Sequence, residues 1–253
     1  LTSTRYRPHF KTHQMLEVAE WYREIGVTSC CVSSIAMANQ FLEDGWKDVC
    51  IAFPAPVYDI EALNALASQC QLSLFVDSLD AVHLLEQVTT PCALWVEIDV
   101  GHCRSGVEWN HQPKVKALIA AIQSSHHSFS GIATHAGHHY FARSYDDVFK
   151  QIQITMEHLF QIKEDLERAV DMKIPVSIGD TPSNVVMDTY LNIDEVRAGN
   201  AIYFDAQQVD MGVCGLDDVA VAVKAPIVSV RRDDAQWIVH AGSVHLSLDT
   251  QYN

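Results

Sequence analysis

The sequence predicts an α/β protein: a (β/α)8 TIM-type barrel followed by part of a β-rich second domain. Eight short, β-branched apolar runs recur along the first 200 residues, and segments of helical period separate them. After residue 215 the pattern changes to strand-like runs with no helix between them.

The first strand is "RYRPHF" (5–10), followed by a helix over 14–25. "SCCVSS" (29–34), "DVCIAF" (48–53) and "LSLFVD" (72–77) are the next three strands, with helices over 34–44, 59–69 and 79–88. "ALWVEIDV" (93–100) and "SGIATHA" (130–136) follow, with helices over 113–124 and 144–170; "SYDDVFKQI" places acids in the first turn of the second, where the helix dipole favours them. "PVSIG" (175–179) and "EVRAG" (195–199) complete the eight. Strands this continuously apolar are covered on both faces, and eight of them favour a closed barrel. An open doubly wound sheet would carry a phosphate fingerprint, and neither GxGxxG nor GxxxxGK[ST] occurs. "DVAVAVKAPIVSVRR" and "AQWIVHAGSVHLSLD", split by "RDDAQ", predict an antiparallel hairpin. The expected division is a barrel over 1–215 and a β-domain over 216–253 that is only begun when the sequence stops.

Of the 253 residues 48% are apolar and 19% charged, with no run of eighteen apolar residues, which points to a globular protein and not a membrane span. Acids outnumber Lys and Arg 32 to 17, so the overall field repels nucleic acid and anionic membranes. Seven scattered cysteines without a CxxC pair argue against a disulfide framework, and the first 20 residues lack a signal-peptide core. A cytoplasmic protein is the simplest expectation.

Barrel enzymes carry their chemistry beyond the C-terminal ends of the strands. Those positions hold His9 and Lys11, Asp77, Asp99 with His102 and Arg104, His135 with His138, His139 and Tyr140, Gly179 to Thr181, and Arg197 with Gly199 and Asn200. Lysines are ordinarily solvated surface residues. One beyond a barrel strand, among Arg5, Arg7, His9 and His13 with no acid in residues 1–14, is instead placed to have a depressed pKa and to attack a carbonyl. "SIGDTPS" (177–183) suits a phosphate at a strand-to-helix turn; it reads equally as a plain turn with Thr181 as N-cap and Pro182 as the first helical residue. Asp180 suits an anion only if its carboxylate points away. Asp99 and Arg104 on one loop are more often a structural ion pair than a reaction centre. "THAGHHY" lacks the i, i+4 spacing of a zinc helix, so no metal ligands are assigned.

In order, "RPHFKTH", "EIDVGHCRSGV", "THAGHHY", "SIGDTPS", "EVRAGNAIYFD" and "HAGSVHLSLD" resemble the D-threonine aldolase and D-serine dehydratase family, the fold-type III pyridoxal 5'-phosphate enzymes related to alanine racemase. The resemblance runs from residue 7 to about 249. It implies a cofactor-bearing barrel and a β-domain, usually as a homodimer. It also implies a lyase acting on a small D-hydroxy amino acid, with a racemase of the same fold or a non-catalytic pyridoxal-phosphate-binding homeostasis protein as alternatives. Carried over to matching positions, Lys11 is the Schiff-base lysine, and His135 packs on the pyridine ring. Arg104 lines the cofactor pocket, Tyr140 lies near ring and substrate, and Gly179, Thr181, Gly199 and Asn200 form the phosphate loops. The chain departs from the family's pattern at Gln14 (commonly lysine), Asp180 (glycine), Ala201 (tyrosine) and His240 (aspartate). A divalent metal, zinc or manganese, is implied in a C-terminal segment beyond this sequence.

Overall fold

The computed structural model describes residues 4–187, 189–242 and 244–246. Eight parallel strands form the barrel: β1 (Arg5–Tyr6), β2 (Cys30–Val32), β3 (Asp48–Pro54), β4 (Gln71–Val76), β5 (Ala93–Asp99), β7 (Ser128–His135), β8 (Val176–Gly179) and β9 (Glu195–Val196). They run in the order β1-β9-β8-β7-β5-β4-β3-β2, and a two-residue strand, β6 (Val107–Glu108), pairs with β5 outside that path. The ring closes between its two end strands through a parallel bridge from His9 to Cys31. Phe10 N donates to Cys31 O and Cys31 N to Pro8 O, both at 2.8 Å.

The eight expected strands are the eight observed, in place and in order. The expected helices are α1 (Leu16–Glu24), α2 (Ile35–Glu43), α3 (Ile60–Ala67), α4 (Leu79–Leu85), α5 (Gln112–Ser124) and α6 (Tyr145–Val170). Short α7 (Thr181–Val186) and α8 (Ala206–Asp210) follow. Most start where a polar residue after a strand or turn can accept a backbone N–H: Ser34, Asp59, Ser78, His111, Ser144, Asp180 and Asp205 each cap a helix with the side chain. The cap of α7 is therefore Asp180, with Thr181 and Pro182 in the first turn, one residue earlier than the sequence reading placed it. Aspartate after the extended Gly179 presents two acceptor oxygens to the first turn, and Thr181 uses its hydroxyl elsewhere.

Alternate strand residues separate into two populations. Val32, Ile51, Leu74, Val96, Ile132 and Ile178 join the large core that also contains the helices' buried faces. Cys31, Cys50, Phe75, Trp95 and Ala133 form a separate small cluster on the other, inward face, in phase with the polar Arg7, Ser73, Glu97, Ser177, Glu195 and Arg197. Burial on both faces is why the strands read as continuous apolar runs. Trp95 packs over the neighbouring strand at its register partner Gly131, which has no side chain. A Cβ there would lie 2.8 Å from the Trp95 ring and 2.3 Å from Pro175 O, and the residue sits at φ +136°.

The hairpin expected after residue 215 is present as β10 (Ile227–Arg231) antiparallel to β11 (Gln236–Val239), shorter than the sequence runs that predicted it. Both strands are exposed along their whole length. The last part of "HAGSVHLSLD", 247–249, lies outside the described residues, as does Ser243. Among the described residues no helix is long and apolar enough to cross a membrane.

Candidate active site at the C-terminal mouth of the barrel

The first strand delivers Lys11. Phe10, fully buried, packs against Tyr22, Phe41 and Trp46 with ring centroids 4.8–5.4 Å apart, and this anchor holds the turn that follows. Gln14 closes the turn at φ +50°, its N–H donating to Phe10 O and its side-chain amide to Lys11 O. The Lys11 N–H donates to His9 Nδ1 at 3.2 Å. Lys11 as a whole is exposed, yet protein surrounds its amine closely enough that burial, and then the Arg104 guanidinium, lower its pKa.

The source of that depression differs from the one the sequence suggested. Arg5 and Arg7 precede Lys11 but serve the barrel wall: Arg7 Nε donates to Glu195 Oε2 at 2.8 Å and its Nη1 lies 2.9 Å from Asp48 Oδ1, while Arg5 Nη2 contacts Asp48 Oδ2 at 2.5 Å. Inward residues at the start of a strand face partners on neighbouring strands, not the mouth. The cation acting on Lys11 comes instead from the loop after β5. Arg104 lies over Phe53, 5.3 Å from the ring centroid, with Nη2 3.7 Å from Glu97 Oε1. Asp99 is not its partner; that carboxylate accepts the N–H groups of Gly101 and Cys103 and shapes its own loop.

His135 ends β7 with Nδ1 2.6 Å from Gly179 O. Burial, then Arg104, lowers its pKa to about 4. His9 is lowered to about 3 by burial and then by Lys11, Arg197, His135 and Arg104, which places these side chains in one electrostatic neighbourhood. His138 falls to about 4 through burial and then His139. All three are neutral at pH 7, whereas an unfolded histidine titrates near 6.5. The unfolded chain thus binds protons that the folded one refuses: stability is full above pH 6.5 and is lost as pH falls toward 4. Urea midpoints should hold from about pH 7.5 to about 6.5 and then fall toward about pH 4.5, and a profile flat throughout would contradict the assignment.

The remaining predicted residues meet beside β8 and β9. Thr181 N donates to Tyr140 Oη at 3.0 Å, and Asn200 N donates to Thr181 Oγ1 at 3.0 Å. Each hydroxyl accepts a backbone N–H and keeps its own hydrogen to donate, which suits an anion. Tyr140 is pushed up to about 12 by burial and then by Asp180, so it holds its proton at neutral pH. Gly199 lets the chain pass His9: a Cβ would sit 2.9 Å from His9 O. A Cβ on Gly179 would meet Arg197 Nη2 at 3.0 Å. Burial works against ionisation of Asp180, but donation from His139 and Ser183 outweighs it, and its carboxyl stays below the usual carboxylate range. It is engaged within the fold, resolving the conflict its charge posed beside an anion.

The sequence reading placed Arg197 beyond a strand end without giving it a role, and passed over Glu97. Arg197, 3% exposed, donates to Ser177 Oγ and to Thr134 O at 2.7 Å and lies 4.9 Å over the Phe75 ring. Glu97, 2% exposed, accepts from Ser105 Oγ at 3.0 Å. Their inward phase along β9 and β5 was the available signal. A cavity of about 320 Å³ lies elsewhere, outside the barrel, among Tyr6, Val185, Tyr190 and Val196, and includes none of the site residues.

Residues 2–207 match the family described as alanine racemase, N-terminal domain. The chain belongs to this family. Within it, the chain is 31% identical to D-threo-3-hydroxyaspartate dehydratase from a Delftia species over 251 residues, 97% of this chain and 66% of that protein. It is 27% identical to D-serine dehydratase from Dictyostelium discoideum over 96% of this chain and 67% of the relative. The chain thus spans about two thirds of the length of these relatives. The solved Delftia dehydratase superposes with a TM-score of 0.89, covering 97% of this chain and 66% of that one. D-threonine aldolase from Filomicrobium marinum, 24% identical, shares the fold with a TM-score of 0.81 over 95% of this chain and 67% of that one.

Proposed function

We propose that the chain is the cofactor-binding part of a pyridoxal-phosphate-dependent lyase acting on small D-hydroxy amino acids, of the dehydratase or aldolase type. The observation that carries this reading is the Lys11 amine at the barrel mouth, lowered by its surroundings and grouped with His9, His135 and Arg104. A lysine in that state forms a Schiff base with an aldehyde and, once released, accepts a proton. The names of the relatives supply the substrate class.

The residues fit the group. Lys11 would hold the aldehyde carbon, and His135, fixed by Gly179 O, would face the ring. Arg104 would lie beside it, while Tyr140 and Thr181 would offer hydroxyl hydrogens to the phosphate, with Gly179, Gly199 and Asn200 shaping its turn. When bound, the cofactor supplies an electron sink for the bond broken at the α-carbon. Lys11 would take or return the α-proton.

A divalent metal, zinc or manganese, is proposed for residues outside this chain; among the described residues no three His, Cys, Asp or Glu side chains gather as ligands. A cysteine-to-alanine mutant of the Delftia dehydratase has been solved in the metal-free form, which supports a metal in that relative. The domain division at 215/216, a homodimer and a cytoplasmic location belong to the same proposal. The deciding experiment incubates full-length protein with D-serine, D-threonine and D-threo-3-hydroxyaspartate plus zinc or manganese, and scores keto acids, glycine and ammonia. Keto acid with ammonia marks the dehydratase and glycine the aldolase; none of the three overturns the reading.

A further inference from the structure

Glu97 occupies a place on β5 where an apolar side chain would cost less. It follows Trp95 on the inward face, opposite Ala133 in register, and is 2% exposed. Oε1 accepts the Ser105 hydroxyl at 3.0 Å, but Oε2 is buried and has no partner among the described residues. A buried oxygen left unsatisfied is costly, so stability alone does not account for a carboxylate here.

The loop after β5 folds back onto this carboxylate. Asp99 accepts the N–H groups of Gly101 and Cys103, and Asp77, next after β4, accepts that of Gly106 at 3.1 Å. Gly106 lies at φ +101°, and a Cβ on it would sit 3.2 Å from Glu97 Cγ and 2.9 Å from Asp99 N, so no larger residue would let the loop come this close. Between these anchors stand Arg104 and Ser105, and both meet Glu97. Arg104 Nη2 lies 3.7 Å from Glu97 Oε1, and the guanidinium lies over the Phe53 ring. At that distance the contact is one of charge, not a hydrogen bond.

Burial raises the Glu97 pKa, and Ser105 and then Arg104 oppose it; Asp77 and Arg197 act more weakly and in opposite senses. Burial and Arg104 are the sources of the Lys11 depression, and Glu97 is not one of them. His9, beside Lys11, is held neutral by burial. We propose that Glu97 is a positioning residue: with Ser105 it seats the Arg104 guanidinium at the mouth and acts on the reactivity of Lys11 only through that guanidinium. The bearing of this on turnover rests on the function proposed above.

The experiment measures the Lys11 amine itself. Full-length protein freed of cofactor is trace-labelled with acetic anhydride from about pH 6 to about pH 10, spanning the titration of an amine. Lys11 is read by peptide mass spectrometry, with melting curves as a check on folding. Glu97→Gln keeps the shape and an acceptor for Ser105 but not the charge. It should move the Lys11 labelling midpoint to higher pH and lower labelling at pH 7 by about two- to fivefold, the scale of a partly exposed charge pair. Ser105→Ala should act in the same direction, more weakly. Arg104→Met should also raise the midpoint, and adding Glu97→Gln to it should raise it no further, whereas a Glu97 that only supports the fold would act with or without Arg104. An unchanged midpoint in Glu97→Gln, or a full second shift in the double variant, overturns the proposal; if Glu97→Gln does not fold, an unchanged midpoint in Ser105→Ala does so. A wild type that takes no colour when pyridoxal phosphate is added overturns the function proposed above, while the labelling midpoints still decide the role of Glu97.

Discussion

Replacing Lys11 by alanine is expected to give a folded protein that has lost the visible colour of the bound cofactor and nearly all turnover. Folding survives because the side chain is exposed and only the Lys11 backbone is engaged, by His9 and Gln14; such substitutions usually change stability by no more than about 0.5 kcal/mol. Turnover falls by about 10²–10⁴-fold from the lost general base alone, and further because the amine that would hold the aldehyde is gone. Lys11→Arg should not rescue, since a guanidinium stays charged and cannot attack a carbonyl. Borohydride reduction followed by peptide mapping checks the assignment directly: the label should lie on Lys11 in the wild type and be absent from the variant. A Lys11→Ala protein with unchanged colour and label would overturn it.

The second large effect is structural. Glu195→Ala should destabilise the barrel by about 3–5 kcal/mol, because it strands the buried Arg7 guanidinium. Arg7 and Glu195 are each 3% exposed and 2.8 Å apart, and Glu195 Oε1 also accepts the Ser177 hydroxyl at 2.7 Å. Asp48 remains beside Arg7, but it is a more exposed partner on the opposite side. For a domain of this size the loss corresponds to a melting temperature lower by on the order of 10 °C. Replacing both charges together, Arg7→Met with Glu195→Leu, should cost less than the single change, since no charge is then left unpaired. A single variant within about 1 kcal/mol of wild type would show that the pair contributes little.

The strands and helices were legible because a doubly buried strand must be apolar along its length and because most of the helices have a polar cap next to them; both constraints are local. The position of Lys11 and of His135 at strand ends was legible for the same reason. Less legible was what surrounds them. Arg5 and Arg7 stand beside Lys11 in sequence, yet they pair with Asp48 and Glu195, while the cation that does act on Lys11 comes from position 104. Thr155 gave no signal, since a threonine in the third turn of a long helix is unremarkable until His138 and His139, some sixteen residues earlier, are folded against it. The cap at Asp180 was misplaced by one residue because threonine and aspartate are both good caps, and only the tertiary partners of Thr181 separate them.

Closure of the barrel sets the order in which reactivity can arise. Among the described residues β1 pairs with β9, 190 positions along the chain from Arg5 to Glu195, and His9 just after it bridges to Cys31. Loop closure over 190 positions must be met before the β1–β9 contacts can form, whereas the bridge to Cys31 spans only 22 positions, from His9 to Cys31. The turn bearing Lys11 hangs from these contacts. A nascent or partly unfolded chain therefore has an ordinary, solvated lysine there, and the amine takes on its lowered pKa only when the barrel brings Arg104 and the surrounding residues against it.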